Sequence, residues 1–213
     1  MNSASSADVL AALGRSRELG FLGPTPLERQ YEHSLGFVAA LDAAGISPPP
    51  RVVDLGSGGG LPGLILALSW QESEMTLLDG STRRCEFLEE EVAILGLEGR
   101  VSVQCGRAEE LARDPLLRGS FDLVVARSFG APPVLAECAA GFLGVGSHLL
   151  VSEPPQAETG DGTRWPAEGL ELLGFSPVVM VENASRYALM KLMTPCPDRY
   201  PRRVGVPSKR PLF

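Results

Sequence analysis

The chain has 213 residues, 44% of them hydrophobic and 21% charged, which suits one core of ordinary globular composition and leaves little room for a second. Net charge is −7, but residues 199–213 hold Arg199, Arg202, Arg203, Lys209 and Arg210 and no acid; setting those five aside leaves 14 basic residues against 26 acidic, or −12 for the body. An acidic body excludes a general attraction to nucleic acid, although a local basic patch still binds phosphate, and on charge alone the tail reads equally as a solvated end.

In chain order, Met1 to Leu13 has no basic region ahead of an apolar run and does not read as a signal peptide. Residues 1–50 form a helical lead-in that ends at Pro48-Pro-Pro50, residues 51–198 the main domain, and residues 199–213 the basic tail. Arg51 to Leu55 is a short apolar run stopped by glycines, as a buried parallel strand requires. Gly56-Ser-Gly-Gly-Gly-Leu-Pro-Gly63 follows, with Pro62 suited to the first turn of a helix that runs to Trp70. Glu74 to Asp79 is a second strand, and Ser81 is placed to cap a helix carrying Leu88, Val92 and Leu95 on one face.

Val101 to Gln104, Phe121 to Ala126 and Ser147 to Ser152 are three more strands, with a helix from about Val134 to Phe142 before the last. The apolar stretch Gly130 to Val151 is broken by Pro132, Pro133, Glu137 and His148, which argues against a membrane span. After a loop from Glu153 to Gly162, a short helix spans about Glu168 to Leu173. Pro177 to Val181 and Tyr187 to Met193 then flank a turn at Glu182-Asn-Ala-Ser185. Alternating strands and helices predict a doubly wound, mostly parallel α/β sheet, and the closing hairpin makes the last strand antiparallel. Cys85, Cys105, Cys138 and Cys196 stand far apart with no C-x-x-C pair, and His33 and His148 are the only histidines. Neither a disulfide framework nor a metal site is expected; reduced thiols fit a cytoplasmic protein.

The chemistry concentrates in the glycine loop. A loop of this kind between a first strand and its helix brings backbone close to a ligand at the carboxyl end of the sheet. Gly58-x-Gly60-x-x-Gly63 matches the dinucleotide fingerprint, and Asp79 stands where an acid grips ribose hydroxyls. Both NAD and S-adenosylmethionine carry a ribose, so the loop alone leaves the two open. Asp54, just before the loop, and Arg107-Ala-Glu109 after the third strand resemble the acid and the adenine-side residues of methyltransferases. No second domain is available to hold a hydride acceptor. A Tyr-x-x-x-Lys spacing, Tyr187 to Lys191, lies in a strand-like run, where dehydrogenase chemistry would need a helix.

Val53-Asp-Leu-Gly-Ser-Gly-Gly-Gly-Leu-Pro-Gly63 resembles the first motif of the bacterial small-subunit rRNA guanine-N7 methyltransferases, the glucose-inhibited division protein B family. Leu77-Leu-Asp79 with Arg83, Arg84 and Phe87-Leu88, then Arg107-Ala-Glu-Glu110, Ala126-Arg-Ser-Phe129 and the tail from Tyr200 to Leu212 resemble later segments of that family. The resemblance implies a class I, Rossmann-like fold with a seven-stranded sheet, S-adenosylmethionine as methyl donor, and a guanine of 16S rRNA as acceptor. It implies donor contacts at Gly56, Leu61, Ala108, Glu109 and Arg127; Asp54, Gly58 and Asp79 belong to the same pocket by the argument above. Guanine N7 has a free in-plane lone pair and no proton, so the enzyme needs no general base, only alignment and exclusion of water.

Arg127 is the candidate catalytic residue, with guanine O6 or a phosphate as its target and an ion pair to Glu109 as its competing role. Phe129 is the best-placed ring for stacking a base, with core packing as the alternative. RNA contact is expected from Arg127 and the five basic tail residues. Val151-Ser-Glu-Pro-Pro155 departs from the family pattern, which has lysine then glycine there. His33-Ser-Leu-Gly-Phe37 keeps only the histidine of a His-x-x-Asp-Ser motif and reads as helix packing. Two rivals stand beside this reading: a methyltransferase with another RNA or a small molecule as acceptor, and a non-catalytic nucleotide-binding regulator.

Overall fold

The structure, a computed structural model, describes residues 4–154 and 164–213; most of the acid-rich loop after Glu153 lies outside them. Helix α1 (Ser6–Glu18) starts in a reciprocal cap, Ser5 Oγ accepting from the Asp8 N–H and the Asp8 carboxylate accepting from the Ser5 N–H at 2.8 Å. Helix α2 (Leu27–Ala43) completes the helical lead-in. Then come β1 (Arg51–Leu55), α3 (Gly63–Ser69), β2 (Glu74–Asp79), α4 (Thr82–Ile94), β3 (Val101–Cys105) and a single turn of helix, α5 (Ala108–Leu111). The second half runs β4 (Phe121–Ala126), α6 (Pro132–Phe142), β5 (Leu143–Glu153), α7 (Ala167–Glu171), β6 (Val179–Glu182), β7 (Arg186–Lys191) and α8 (Val206–Lys209).

Among the described residues the sheet has seven strands in the order β3-β2-β1-β4-β5-β7-β6, and only β7 runs against its neighbours. The mostly parallel sheet and closing hairpin expected from the sequence are present. Strand order reverses between β1 and β4, which opens a crevice beyond their carboxyl ends. Helices α1 to α4 cover one face around Phe37, Leu64, Leu88 and Tyr187; α5, α6 and α7 cover the other around Ala108, Phe142 and Leu170.

Differences from the sequence reading have local causes. Strand β5 begins at Leu143, directly after α6, because Gly144 and Gly146 (φ +92°) sit inside an irregular strand start that read as a turn. Ser81 occupies the N-cap of α4, yet its side chain makes no capping bond; instead its N–H donates to Asp79 Oδ1 at 2.9 Å. Tyr187 is fully buried on β7 with its hydroxyl donating to the His33 carbonyl at 2.7 Å, so Tyr187 and exposed Lys191 form no catalytic pair.

The basic tail is docked. Arg113 donates to the Pro201 carbonyl at 2.7 Å, and Arg118 to that of Tyr200 at 2.9 Å. Arg202 clamps the fully buried Glu137 through its backbone N–H at 2.7 Å and through Nε and Nη2 at 2.9 and 2.6 Å. Arg199, Arg203, Lys209 and Arg210 stay exposed. No helix among the described residues is long and apolar enough to cross a membrane.

Candidate functional site

The glycine loop is held from both flanks. Gly56, at φ +73°, and Ser57 both donate to the Leu78 carbonyl, at 2.8 and 3.0 Å, which straps the loop to β2. Gly58, at φ +54°, donates to Asp79 Oδ2 at 2.9 Å. Asp79 is 5% exposed, and each of its oxygens takes one backbone N–H and keeps a lone pair for a further donor. On the other side, Gly63 donates to Asp54 Oδ2 at 2.9 Å. A Cβ at Gly63 would lie 2.6 Å from that oxygen and 2.3 Å from Leu77 Cδ2, so only glycine lets α3 start here.

Three adjoining cavities lie over this edge of the sheet. The first, of about 260 Å³, is lined by Gly58, Leu61 and Arg127 and roofed by Phe21, Leu22 and Gln30 of the lead-in. The second, of about 300 Å³, is lined by Asp79, Ala108, Glu109, Phe129 and Val134. The third, also about 300 Å³, is lined by His33, Arg127, Phe129, Ser152, Glu153 and Trp165. Gly56 joins the first two, Arg127 and Ser128 the first and third, and Phe129 and Gly130 the second and third. The Phe129 ring closes over Gly56, where an added Cβ would meet it at 2.8 Å. Ser128 turns the chain here with φ +59°, a strained conformation for a residue with a side chain.

The structure thus gathers Gly56, Gly58, Leu61, Asp79, Ala108, Glu109 and Arg127 around two adjoining cavities that share Gly56. Asp54 departs from the sequence expectation: fully buried, it lines none of these cavities and instead anchors the first turn of α3. Burial pushes its carboxyl up to about 7, against the pull of bonds from Ser57 and Gly63, and its Oδ1 has no partner. Glu109 keeps a carboxylate below its usual range. Burial acts to raise it, but its own N–H, the Gly205 N–H at 3.1 Å and Arg107 outweigh that.

Arg127 does not pair with Glu109, which Arg107 takes at 3.3 Å; its Nη2 reaches Gln30 Oε1 at 3.4 Å, and its Nη1 is buried without a partner. Burial lowers the Arg127 pKa, leaving a partly desolvated cation in the wall shared by two cavities. His33 donates or accepts at Ser152 Oγ (3.1 Å), and burial, then the nearby Arg127, push it down to about 4, so it is neutral at pH 7. Its packing against Phe37 and Tyr187 fits the helix-packing expectation, while its place in the cavity wall was not foreseen. Phe21, Gln30, Arg164 and Trp165 were also absent from the sequence reading. Nothing in their local pattern marks them, because only the folding of α1, α2 and α7 onto the sheet edge brings them in.

Residues 19–159 match the family model described as rRNA small subunit methyltransferase G. The chain belongs to that family. It is 34% identical to the Ribosomal RNA small subunit methyltransferase G of Moorella thermoacetica, over 85% of this chain and 77% of that one. To the protein of the same name from Rubrobacter xylanophilus it is 33% identical, over 96% of this chain and 80% of that one. The fold is also similar to solved methyltransferases. One is the O-methyltransferase TomG of Streptomyces achromogenes in complex with SAM: TM-score 0.60, 15% identity, 90% of this chain and 92% of that one. A putative O-methyltransferase from Klebsiella pneumoniae gives TM-score 0.61 at 12% identity, over 89% of this chain and 91% of that one. Among the described residues, no group of three or more His, Cys, Asp or Glu side chains is arranged to hold a metal ion.

Proposed function

We propose that this chain is a cytoplasmic, S-adenosylmethionine-dependent methyltransferase acting on N7 of a guanine in 16S rRNA. Membership of the family supplies the activity class. The observation that carries the residue-level reading is the adjacency of three cavities that share wall residues, two suited to a nucleoside-bearing donor and the third beside them. The chain's residues fit such a donor. Asp79, with Arg84 3.7 Å from its Oδ2, keeps lone pairs for ribose hydroxyls, Ala108 and Val134 offer apolar walls to adenine, and Gly58 leaves room that a side chain would fill.

When bound, S-adenosylmethionine supplies an electrophilic methyl group on a sulfonium. The protein's task is positional, since N7 needs no proton removed and in-line alignment alone contributes roughly 7–11 kcal/mol. Phe129 closes over Gly56 and excludes water at the cavity junction. Arg127 lines the first and third cavities, and its planar fork is suited to guanine O6 or an adjoining phosphate. His33, neutral at pH 7, adds no repelling cation. In this reading residues 1–50 roof the donor, 51–198 hold the site, and the exposed Arg199, Arg203, Lys209 and Arg210 meet RNA phosphate, with Arg202 committed to Glu137.

The test is transfer of labelled methyl to naked 16S rRNA and to 30S particles from cells lacking the guanine-N7 enzyme. Label at a guanine N7 is the expected result. Calorimetric binding of S-adenosylmethionine with no label in either RNA would remove the rRNA assignment and send the search to other acceptors.

A further inference from the structure

The third cavity contains a group that the donor does not need. Resting on the guanine reading above, we propose that Glu153 is the specificity-determining residue of the acceptor site: its carboxylate accepts from N1–H and the 2-amino group of the extruded guanine.

Guanine is the base whose Watson–Crick edge presents two adjacent donors, N1–H and N2–H, and a carboxylate is an acceptor-only group with two oxygens at matching spacing. Adenine presents an unprotonated N1 at that place and would meet the carboxylate lone pair to lone pair. Among the described residues lining this cavity Glu153 is the sole acid, and it is 8% exposed. Its plane is fixed: the Trp165 indole N–H donates to Oε1 at 3.1 Å and Arg164 Nη1 to Oε2 at 2.6 Å. Each oxygen therefore keeps a lone pair in a set direction. Burying a carboxylate is costly, and this one lines a cavity, unlike the buried Glu137, which lines none of the three.

The register supplies the geometry. Ala126 pairs with Val151, so Arg127 and Glu153 stand one and two residues beyond that pair at the same sheet edge. Arg127 lies in the wall that the third cavity shares with the first, and Glu153 lines the third beside Trp165. Guanine has the same polarity: O6 and the reacting N7 lie on one edge, N1 and N2 on the next. A base entering with N7 toward the donor turns its N1–N2 edge toward Glu153. Leu135, Val151 and the Phe129 ring supply apolar contact for its faces. Discrimination by two buried hydrogen bonds is strong because an analogue lacking one donor leaves the carboxylate partly unpaired.

The experiment uses 16S rRNA in which the methylated position, once mapped, carries guanosine or inosine by splint ligation; inosine keeps N7, O6 and N1–H and lacks only the 2-amino group. Wild-type protein is expected to methylate the guanosine RNA roughly tenfold or more faster than the inosine RNA. Glu153→Gln, with donor affinity and melting temperature measured alongside, is expected to slow guanosine transfer and bring that ratio to within about twofold of one. If Glu153→Gln fails to fold, Glu153→Asp keeps the charge with shorter reach and is expected to shrink the ratio in the same direction. A ratio equal to wild type in the folded variant would overturn the assignment and leave Glu153 as an anchor for Trp165. Absence of wild-type transfer to the guanosine RNA would overturn the functional reading itself, and this inference with it.

Discussion

Asp79 and Arg127 share one site but differ in what they hold. Asp79 binds the loop through Gly58 and Ser81 and faces the second cavity, so Asp79→Ala is expected to weaken S-adenosylmethionine binding by about tenfold or more in calorimetry. Arg127→Ala is expected to leave donor affinity within severalfold and to slow methyl transfer, since Arg127 lines the third cavity, where the acceptor is proposed to enter. Equal transfer rates would return Arg127 to a packing role. Asp54 gives a pH prediction. Its folded pKa of about 7 lies above the unfolded 3.8, so the folded state holds the extra proton between those values, and stability from this group falls as pH rises through that window. His33 works the other way: at about 4 against 6.5 unfolded, it costs stability as pH falls from 6.5 toward 4. Asp54→Asn is therefore expected to make stability rise more steeply with pH between about 4 and 7 than it does in the wild type, read by denaturant unfolding at a series of pH values; an unchanged profile would show that Asp54 is not protonated in the fold.

At the level of elements, α2 is seated on β7 by a contact that sequence pattern does not reveal. A Cβ at Gly36 would lie 2.1 Å from the buried Tyr187 hydroxyl and 2.9 Å from its ring carbon. Gly36→Ala is expected to lower stability by roughly 1–3 kcal/mol, and Tyr187→Phe in that background to return part of the loss by removing the clashing oxygen. Strictly additive losses in the double variant would show that the two residues do not meet. Other elements were legible from the chain. The runs Arg51 to Leu55, Glu74 to Asp79 and Phe121 to Ala126 located three strands to the residue, because buried parallel strands are uninterrupted apolar runs between turn residues. The start of β5 and the single turns α5 and α8 were not legible, since glycines inside a strand and four-residue helices carry no periodic signal.

For the whole molecule, the tail is a structural member as well as a basic one. Arg202→Ala would leave the buried Glu137 carboxylate with a backbone N–H but no charged partner and is expected to cost about 3–5 kcal/mol, with Glu137→Gln in the same chain recovering much of it. Deleting residues 199–213 would therefore confuse folding with RNA binding. The cleaner test of the tail changes Arg203, Lys209 and Arg210 to Gln and leaves the clamp alone. If they bind phosphate, the slope of log affinity against log salt falls by roughly 0.7–0.9 for each phosphate no longer neutralised; an unaltered slope would make them solvated charges.

The sequence by itself determined the order of strands and helices, the glycine loop that forces close backbone approach, and the positions of Asp79, Ala108, Glu109 and Arg127 at strand ends. The strands, the glycine loop and Asp79 follow from local rules of periodicity, turn chemistry and topology, while Ala108, Glu109 and Arg127 came from the resemblance to the family's motifs. Only the tertiary structure decided that Asp54 faces inward to α3, that Gln30 and His33 roof and line the cavities, that Arg202 serves Glu137, and that Glu153 stands beside Trp165. Gln30, His33 and Arg202 meet partners far away in the chain, and even the nearer pairs, Asp54 with Gly63 and Glu153 with Trp165, are set by how helices pack at the sheet edge, which no local pattern encodes.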